Sequence, residues 1–359
     1  MADWTDLQRQ RYARHFRLPG FGEVGQARLR RARVLVIGAG GLGSPVLQYL
    51  AAAGVGQLTL VEFDRVDLSN LQRQTIYTTA QVGTPKGEAA AAFVRALNPG
   101  VKVRLVASRF DPSLAHTLVP DHDLLIDCSD NLATRYLTND AGVLYGKPIV
   151  YGAVHRWEGQ LAVFNVSLPD GTRSAHYRHV FPQPPAPGTV EDCATAGVLG
   201  VLPGIIGSLQ ANEALKLLSG AGEVQHGQLF LFDANGLQLR RLRLRATPDR
   251  PVTALLADYE SFCGTATGML TVTAVEAARR VADGEAAYLD VRSEAEHAAG
   301  ALTELRMTLA ELPARVAELP DQELIVYCRS GQRSARVVDW LTRERPDIEA
   351  YSLAGGWQP

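Results

Sequence analysis

The stretch from Arg33 to Glu62, RVLVIGAGGLGSPVLQYLAAAGVGQLTLVE, constrains this chain more than any other. It opens with an apolar run from Val34 to Ile37 and turns on Gly38, Gly40, Gly41 and Gly43. It then runs helically through Ala51 into a second apolar run, Leu58 to Val61. That order is strand, glycine turn, helix, strand. Gly38, Gly40 and Gly43 fit G-x-G-x-x-G, in which the first glycine permits a tight turn, the second lets a phosphate approach the backbone, and the third lets helix and strand pack closely. The helix beginning near Leu42 presents unpaired N–H groups and a partial positive charge above the turn, which suits an anion. Glu62 closes the second strand roughly 20 residues on, where a carboxylate is expected to accept from a ribose hydroxyl. The prediction is a nucleotide site in a parallel α/β sheet.

With 359 residues the chain accommodates two domains at a prior of about 150 residues each. A hydrophobic content of 46% provides for a sizeable core, and a net charge of -2 supplies no global field to draw in nucleic acid. Arginines do cluster locally, from Arg9 to Arg33 and again at Arg240, Arg241, Arg243 and Arg245, as solvated faces or as phosphate contacts. The longest apolar stretch, Val198 to Leu209, is interrupted by Gly200, Pro203, Gly204 and Gly207 and falls short of the roughly 20 residues of a membrane span. No membrane helix is expected, and the N-terminus lacks the apolar core of a secretory signal. Cys128, Cys193, Cys263 and Cys328 form no C-x-x-C pair, which points to a reducing, cytoplasmic setting with individually useful thiols.

Past the first unit, FDRVDLSNLQRQTIY reads as a polar loop with short helical turns, containing Asp64, Asn70, Gln72, Arg73 and Gln74. A helix from about Pro85 to Leu97 carries Lys86 in its first turn, where it opposes the helix dipole and is better placed to meet a ligand phosphate. Strands follow at Val101 to Val106 and Asp123 to Asp127, the second ending in DCSDN, so that Asp127 and Asp130 sit at a carboxyl end where parallel sheets bind ligands. From Val154 the alternation changes to period two, with a hairpin signal at Asn235-Gly236, so an antiparallel half succeeds the parallel one. Between them Ser167 to Ala196 is proline-rich and is expected to be an irregular crossing loop. Near its end Cys193 precedes a helix from about Gly204 to Leu218 and is a candidate nucleophile. The predicted organisation is a domain over 1–246, a linker over 247–268, and a smaller α/β domain over 269–359.

The smaller domain contains a second glycine loop, CRSGQRS, between an apolar strand and a helix. Around Cys328, the loop residues Arg329, Gly331 and Arg333 supply cationic charge and directed N–H groups, which stabilise thiolate and make the cysteine reactive. Such a cradle serves phosphate transfer or sulfane sulfur transfer.

These residues carry a family resemblance. The glycine unit, SNLQRQ, the Lys86 helix, DCSDN and GVLPGIIGSLQANEALKLL together resemble the ubiquitin-activating E1-like adenylyltransferases of the MoeB and ThiF type, over about Leu7 to Gly264. DVRSEAEH and CRSGQRS resemble a rhodanese domain, and the fused order is similar to that of MoeZ-type proteins. The resemblance implies a Rossmann-like domain that uses ATP and Mg²⁺ to adenylate the C-terminal glycine of a ubiquitin-fold sulfur carrier ending in Gly-Gly. Sulfur then replaces AMP to give a thiocarboxylate for molybdopterin, thiamine or tRNA thiolation. It further implies Gly41 in the nucleotide turn, Glu62 in place of the usual aspartate at the ribose, and Asn70, Arg73 and Lys86 on phosphates. Asp130 would serve Mg²⁺ and the α-phosphate, and Arg14 would reach into the site of a partner subunit in a homodimer. Cys193 matches the family's loop cysteine and Cys328 the persulfide carrier, charged by thiosulfate or by a cysteine desulfurase persulfide. Neither a membrane nor a nucleic acid is an expected direct partner.

Three features depart from the family pattern. Where relatives carry two C-x-x-C zinc pairs, this chain has His176-x-x-His179 and Glu260-x-x-Cys263, residue types that can still ligate Zn²⁺. It ends at GGWQP, where relatives continue through another helical stretch, an expectation of a weakened second domain, and HAAGALTEL replaces a GHIPGA-like turn. Competing readings are an NAD-dependent oxidoreductase, a non-catalytic scaffold, and an E1-like tRNA-modifying dehydratase. The first would not require Arg73 and Lys86 placed for a triphosphate, the second is at odds with the retained Cys328, and the third lacks a reason for the rhodanese segment.

Overall fold

Val34, Leu35 and Val36 are fully buried, the environment that an unbroken apolar run needs at the centre of a parallel sheet. They belong to β1 (Arg33–Ile37), which pairs in parallel with β2 (Gln57–Val61) on one side and β4 (Leu124–Asp127) on the other. The computed structural model describes residues 4–185, 197–247, 251–263, 271–329 and 331–357. It adds β3 (Lys102–Val106) outside β2 and β5 (Ile149–His155) beside β4, both parallel to their neighbours. The sheet continues antiparallel through β6 (Glu158–Phe164), β7 (Gln228–Asp233) and β8 (Gln238–Arg243). Among the described residues the strand order is β3-β2-β1-β4-β5-β6-β7-β8. Parallel strands thus give way to antiparallel ones, as the change of periodicity predicts.

The strand order reverses between β1 and β4, whose register sets Ile37 beside Asp127. The loops that follow these two strands therefore leave the sheet side by side and form the crevice in which open α/β sheets bind ligands. The helix Gly43–Ala53 follows β1, Lys86–Leu97 follows β2, and Leu132–Leu144 follows β4. A 19-residue helix, Val201–Ser219, covers β5 and β6 and packs on Gly43–Ala53.

One expectation needs correction. Ser167 to Ala196 is not wholly irregular: the helix Tyr177–Val180 forms within it, because Tyr177 is held between the rings of Tyr136 and Tyr151 at centroid distances of 5.0 and 5.4 Å. Those contacts come from distant strands and helices and leave no local signal. Residues 186–196, and Cys193 with them, lie outside the described residues. The arginines Arg240, Arg241 and Arg243 fall on β8, an edge strand exposed at every position, where charge discourages pairing with another chain. Among the described residues no helix is long and apolar enough to cross a membrane.

The chain divides into two compact units, Met1–Tyr259 and Glu260–Pro359. In the second, β9 (Thr271–Val272), β10 (Ala286–Asp290), β11 (Glu323–Tyr327) and β12 (Ala350–Leu353) are parallel in the order β10-β11-β12-β9. Leu289, Leu324 and Val326 are buried against Val337 and Leu341 of the helix Gln332–Glu344. β9 has two residues, too few for an alternation to register in the sequence.

Candidate active site

The glycine turn is built from close approaches. Gly38 has φ +94°, and a Cβ there would lie 2.8 Å from the Cys128 carbonyl oxygen; a Cβ on Gly43 would lie 2.3 Å from that of Gly38. Neither position admits a side chain, which is why the helix can start directly against the strand. At Gly40, by contrast, a Cβ would meet nothing nearer than Gln74 Nε2 at 3.6 Å, so the backbone is bare toward the crevice. No side chain caps the helix Gly43–Ala53; Ser44 N–H donates to the Gly40 carbonyl at 2.9 Å and Pro45 has none to offer, so the N–H groups left for an anion are those of the turn ahead of Ser44.

Glu62 is 7% exposed and bends back onto the turn. One carboxylate oxygen accepts from Ala39 N–H at 2.8 Å, and the other from Phe63 and Asp64 N–H, each at 2.9 Å. Ala39 is held from its other side by Tyr77, whose hydroxyl donates to its carbonyl at 2.8 Å. Burial first, then the Glu62 and Asp64 carboxylates, push the Tyr77 phenol well above its ordinary range, so it remains a donor. A carboxylate offers about four acceptor sites; three are used, which leaves room for one ligand hydroxyl. The sequence pattern missed Tyr77 because an isolated tyrosine 15 residues beyond Glu62 carries no motif.

Of the predicted cations, Arg73 stands against this turn and Lys86 against Asp64, two residues beyond Glu62. Arg73 places Cγ 3.6 Å from where a Cβ of Gly41 would stand and donates to the Ser69 carbonyl at 3.0 Å. Asn70 lies on the same short segment, its side-chain oxygen accepting from Asp67 N–H at 3.3 Å. Lys86 is 4% exposed, and its Nζ stands 3.3 Å from the largely exposed Asp64 carboxylate. A buried lysine at a helix start is unfavourable for the helix itself and is here held by one half-solvated counter-charge.

Beyond β4, Asp127 is buried and accepts from the Ser129 hydroxyl and N–H at 2.6 and 3.0 Å. Burial raises its pKa, with Arg135 opposing. This fixes the turn that exposes Asp130, which makes no hydrogen bond or ion pair among the described residues. An unpartnered carboxylate suits Mg²⁺, which takes one or two carboxylates together with substrate phosphates. Cys128 is buried and its thiol is pushed well up by burial and by Asp127, which makes it inert.

Arg14 is not among these residues. It is exposed on the short helix Ala13–Phe16 and lines a depression of about 180 Å³ with Tyr49, Ala52 and Ala53. That is the far end of the helix Gly43–Ala53, about 15 Å from the turn at 1.5 Å per residue. At the expected zinc positions, the His176 and His179 rings lie with centroids 3.9 Å apart, tilted by 55°. His179 Nδ1 accepts from the His176 N–H at 2.9 Å, and its Nε2 donates to the Thr247 carbonyl at 3.0 Å, leaving it no nitrogen for a metal. No group of three or more His, Cys, Asp or Glu among the described residues is placed to hold a metal ion.

In the second unit Cys328 follows β11 and is fully buried, at the inner side of its loop. Its Sγ accepts from Ser334 N–H at 3.4 Å, in the first turn of the helix Gln332–Glu344, and lies 3.6 Å from the Ser334 hydroxyl. Gly331, φ +86°, makes the turn into that helix. Arg333 forms a two-point pair with Glu296, both distances 2.6 Å, and this pair with Arg333 holds the Glu296 carboxyl at about 2. Arg329 stays exposed, and Arg333 is the arginine that also interacts with the Cys328 sulfur. Beneath the loop lies a buried pair: Arg292 donates to both oxygens of Asp290 at 2.9 and 2.7 Å, and Asp290 also receives Tyr327 and faces His297. The D-x-R spacing at a strand end is the signal that could have found it.

Comparison with known proteins agrees with this geometry. Residues 12–255 match the ThiF family and residues 273–359 the rhodanese-like domain. The chain is 42% identical to the probable adenylyltransferase/sulfurtransferase MoeZ of Mycobacterium tuberculosis, over 95% of each chain. It is 50% identical to the sulfur carrier protein adenylyltransferase of Thermus thermophilus, over 73% of this chain and 98% of that one. The crystal structure of Escherichia coli MccB superposes with a TM-score of 0.60 at 18% identity, covering 70% of this chain and 74% of that one, a likeness of fold. The chain belongs to the ThiF family and carries a rhodanese-like domain after its ThiF region.

Proposed function

We propose that this chain activates the C-terminal carboxylate of a small sulfur-carrier protein with ATP and then delivers sulfur to it from Cys328. It is an adenylyltransferase and sulfurtransferase, and ATP is the substrate of its first step. One observation carries the reading: a bare glycine turn at the β1/β4 switch, faced by Arg73 and followed by a nearly buried Lys86 paired with Asp64, shares a chain with a cysteine seated in a rhodanese-like loop.

In the first step a carboxylate oxygen of the carrier attacks the α-phosphorus and pyrophosphate leaves. The turn amides, Arg73 and Lys86 oppose the charge that accumulates on the phosphates, Asn70 helps to orient them, and Glu62 accepts from the ribose. Asp130 is the residue that would hold Mg²⁺, whose chemistry is to neutralise phosphate charge. The acyl adenylate is needed because a free carboxylate is a poor electrophile. In the second step the terminal sulfur of a Cys328 persulfide attacks the acyl carbon and AMP leaves. A second thiol, assigned to Cys193, cleaves the resulting acyl disulfide, releases the thiocarboxylate, and leaves a disulfide that a dithiol reductant resets. Arg14, remote from the turn of its own chain, is assigned to the site of a second copy in a homodimer. We take 1–246 as the adenylating domain, 247–268 as linker and 269–359 as the sulfur-loading domain.

The test is ATP–pyrophosphate exchange, expected only with a carrier that ends in Gly-Gly. Asp130→Ala should abolish exchange with the fold intact. Cys328→Ala should keep exchange yet lose thiocarboxylate formation from thiosulfate, and added sulfide should restore some product. Wild-type rates of thiocarboxylate formation by Cys328→Ala would refute the sulfur relay.

A further inference from the structure

Gln74 lies one residue beyond Arg73 and is 4% exposed. Its Oε1 is buried with no hydrogen-bond partner among the described residues, an arrangement that costs stability and that packing alone does not call for. Its Nε2 stands 3.6 Å from where a Cβ on Gly40 would be, with no other side chain or backbone atom of the described residues, chain neighbours aside, within 4 Å of that point. The amide therefore borders the open space over the glycine at which a phosphate meets the backbone. Its placement is not accidental slack. Gln74 N–H donates to the Asn70 carbonyl at 2.9 Å, and its own carbonyl accepts from Tyr77 N–H at 3.2 Å, while the Tyr77 hydroxyl grips Ala39 inside the turn. Rotating the carboxamide by half a turn exchanges its two ends but still leaves one at Gly40 and the other buried and unsatisfied.

We propose that Gln74 is a nucleotide-binding residue: its amide donates to a phosphate oxygen above Gly40, and its carbonyl accepts from a hydroxyl or water that arrives with the nucleotide. This rests on the ATP reading above and deepens it. Arg73 and Lys86 are donors only and recognise charge; a carboxamide is donor and acceptor at once. It can therefore bridge an acceptor-only phosphate to a neighbouring donor, and so fix register along the nucleotide rather than add attraction. The ligand then supplies the partner that the Gln74 carbonyl lacks.

Gln74→Met keeps the length and volume of the side chain and removes both polar atoms. Binding of ATP by calorimetry and thermal unfolding are measured together on the full chain. The expected result is a Tm equal to or above that of the parent, because the orphaned carbonyl is gone, with ATP affinity reduced about tenfold or more and adenosine affinity changed much less. Gln74→Glu, which sets a carboxylate against the phosphates, should weaken ATP further than Gln74→Met does. A Gln74→Met protein that binds ATP like the parent, with a lowered Tm, overturns the proposal and makes Gln74 a packing residue. Failure of the parent itself to bind ATP would overturn the nucleotide reading on which it stands, and the two failures are told apart by that control.

Discussion

Gly40→Ala separates what the glycine turn does for the fold from what it does for a ligand. A methyl at position 40 would meet only Gln74 Nε2, at an ordinary contact distance of 3.6 Å, and Gly40 is not among the residues with positive φ. The empty protein should therefore accept it, with a gain of about 0.4–1 kcal/mol from the stiffer unfolded chain. The same methyl points into the space through which a phosphate reaches the backbone. Displacing the phosphate forfeits at least one hydrogen bond to a charged group, about 1.5–3 kcal/mol, so ATP affinity should fall by a factor of about 10 to 150. Its neighbours provide the contrast. Gly38→Ala must place a Cβ 2.8 Å from the Cys128 carbonyl oxygen at φ +94°, and Gly43→Ala must place one 2.3 Å from the Gly38 carbonyl oxygen. Both should cost more than about 2 kcal/mol of stability. Calorimetric ATP binding alongside thermal unfolding reads both quantities. ATP affinity in Gly40→Ala within about twofold of the parent would refute the reasoning, since the methyl lies where a phosphate must come.

Lys86→Met should leave stability nearly unchanged, because the stem stays packed and the Asp64 carboxylate it abandons is largely exposed. ATP affinity should fall about 10- to 150-fold; equal affinity by calorimetry would remove Lys86 from the site. The Arg333 pair holds the Glu296 carboxyl at about 2, below its usual 4.5. A depressed carboxylate stabilises the fold above its unfolded value and loses that contribution as pH falls, here between about 4.5 and 2. Hydrogen exchange in the helix Glu294–Ala298 should show acid loosening across that window, and Arg333→Gln should abolish the pH dependence within it; an unchanged profile in the variant would show that the pair contributes nothing.

What could be read in advance was what repeats or punctuates. The apolar run of β1, the spaced glycines, the switch to period two and the Asn235-Gly236 turn each leave a local mark, and each element appeared where those marks fall. The contacts that tune the site leave none. Glu62 was expected at a ribose on spacing alone, yet three backbone N–H groups bind its carboxylate, and a backbone donor has no residue type. Tyr77 reaches Ala39 across 38 residues, and the Tyr177 ring is seated by partners from a strand and a helix far off in sequence. Arg333 looked like a charge for the thiol until Glu296, 37 residues upstream, proved to share it.

The two glycine loops solve one physical problem in opposite ways. Each follows a buried parallel strand and opens a helix, so each gathers backbone N–H groups at one point. At Gly40 the backbone is half-buried and the cation at the neighbouring Gly41, Arg73, belongs to another segment; the anion comes from outside and must be able to leave as pyrophosphate. At Cys328 the group that the loop serves is part of the chain. Its sulfur receives Ser334 N–H and is fully buried, with Arg333 the cation that interacts with it. Burial protects a thiolate from solvent but blocks a bulky electrophile, whereas one additional sulfur atom extends the nucleophile outward from the same fixed point. A loop that hides its cysteine therefore favours transfer of a terminal sulfur over direct attack by Cys328 itself, which is why the acyl adenylate should meet a persulfide and not the bare thiol.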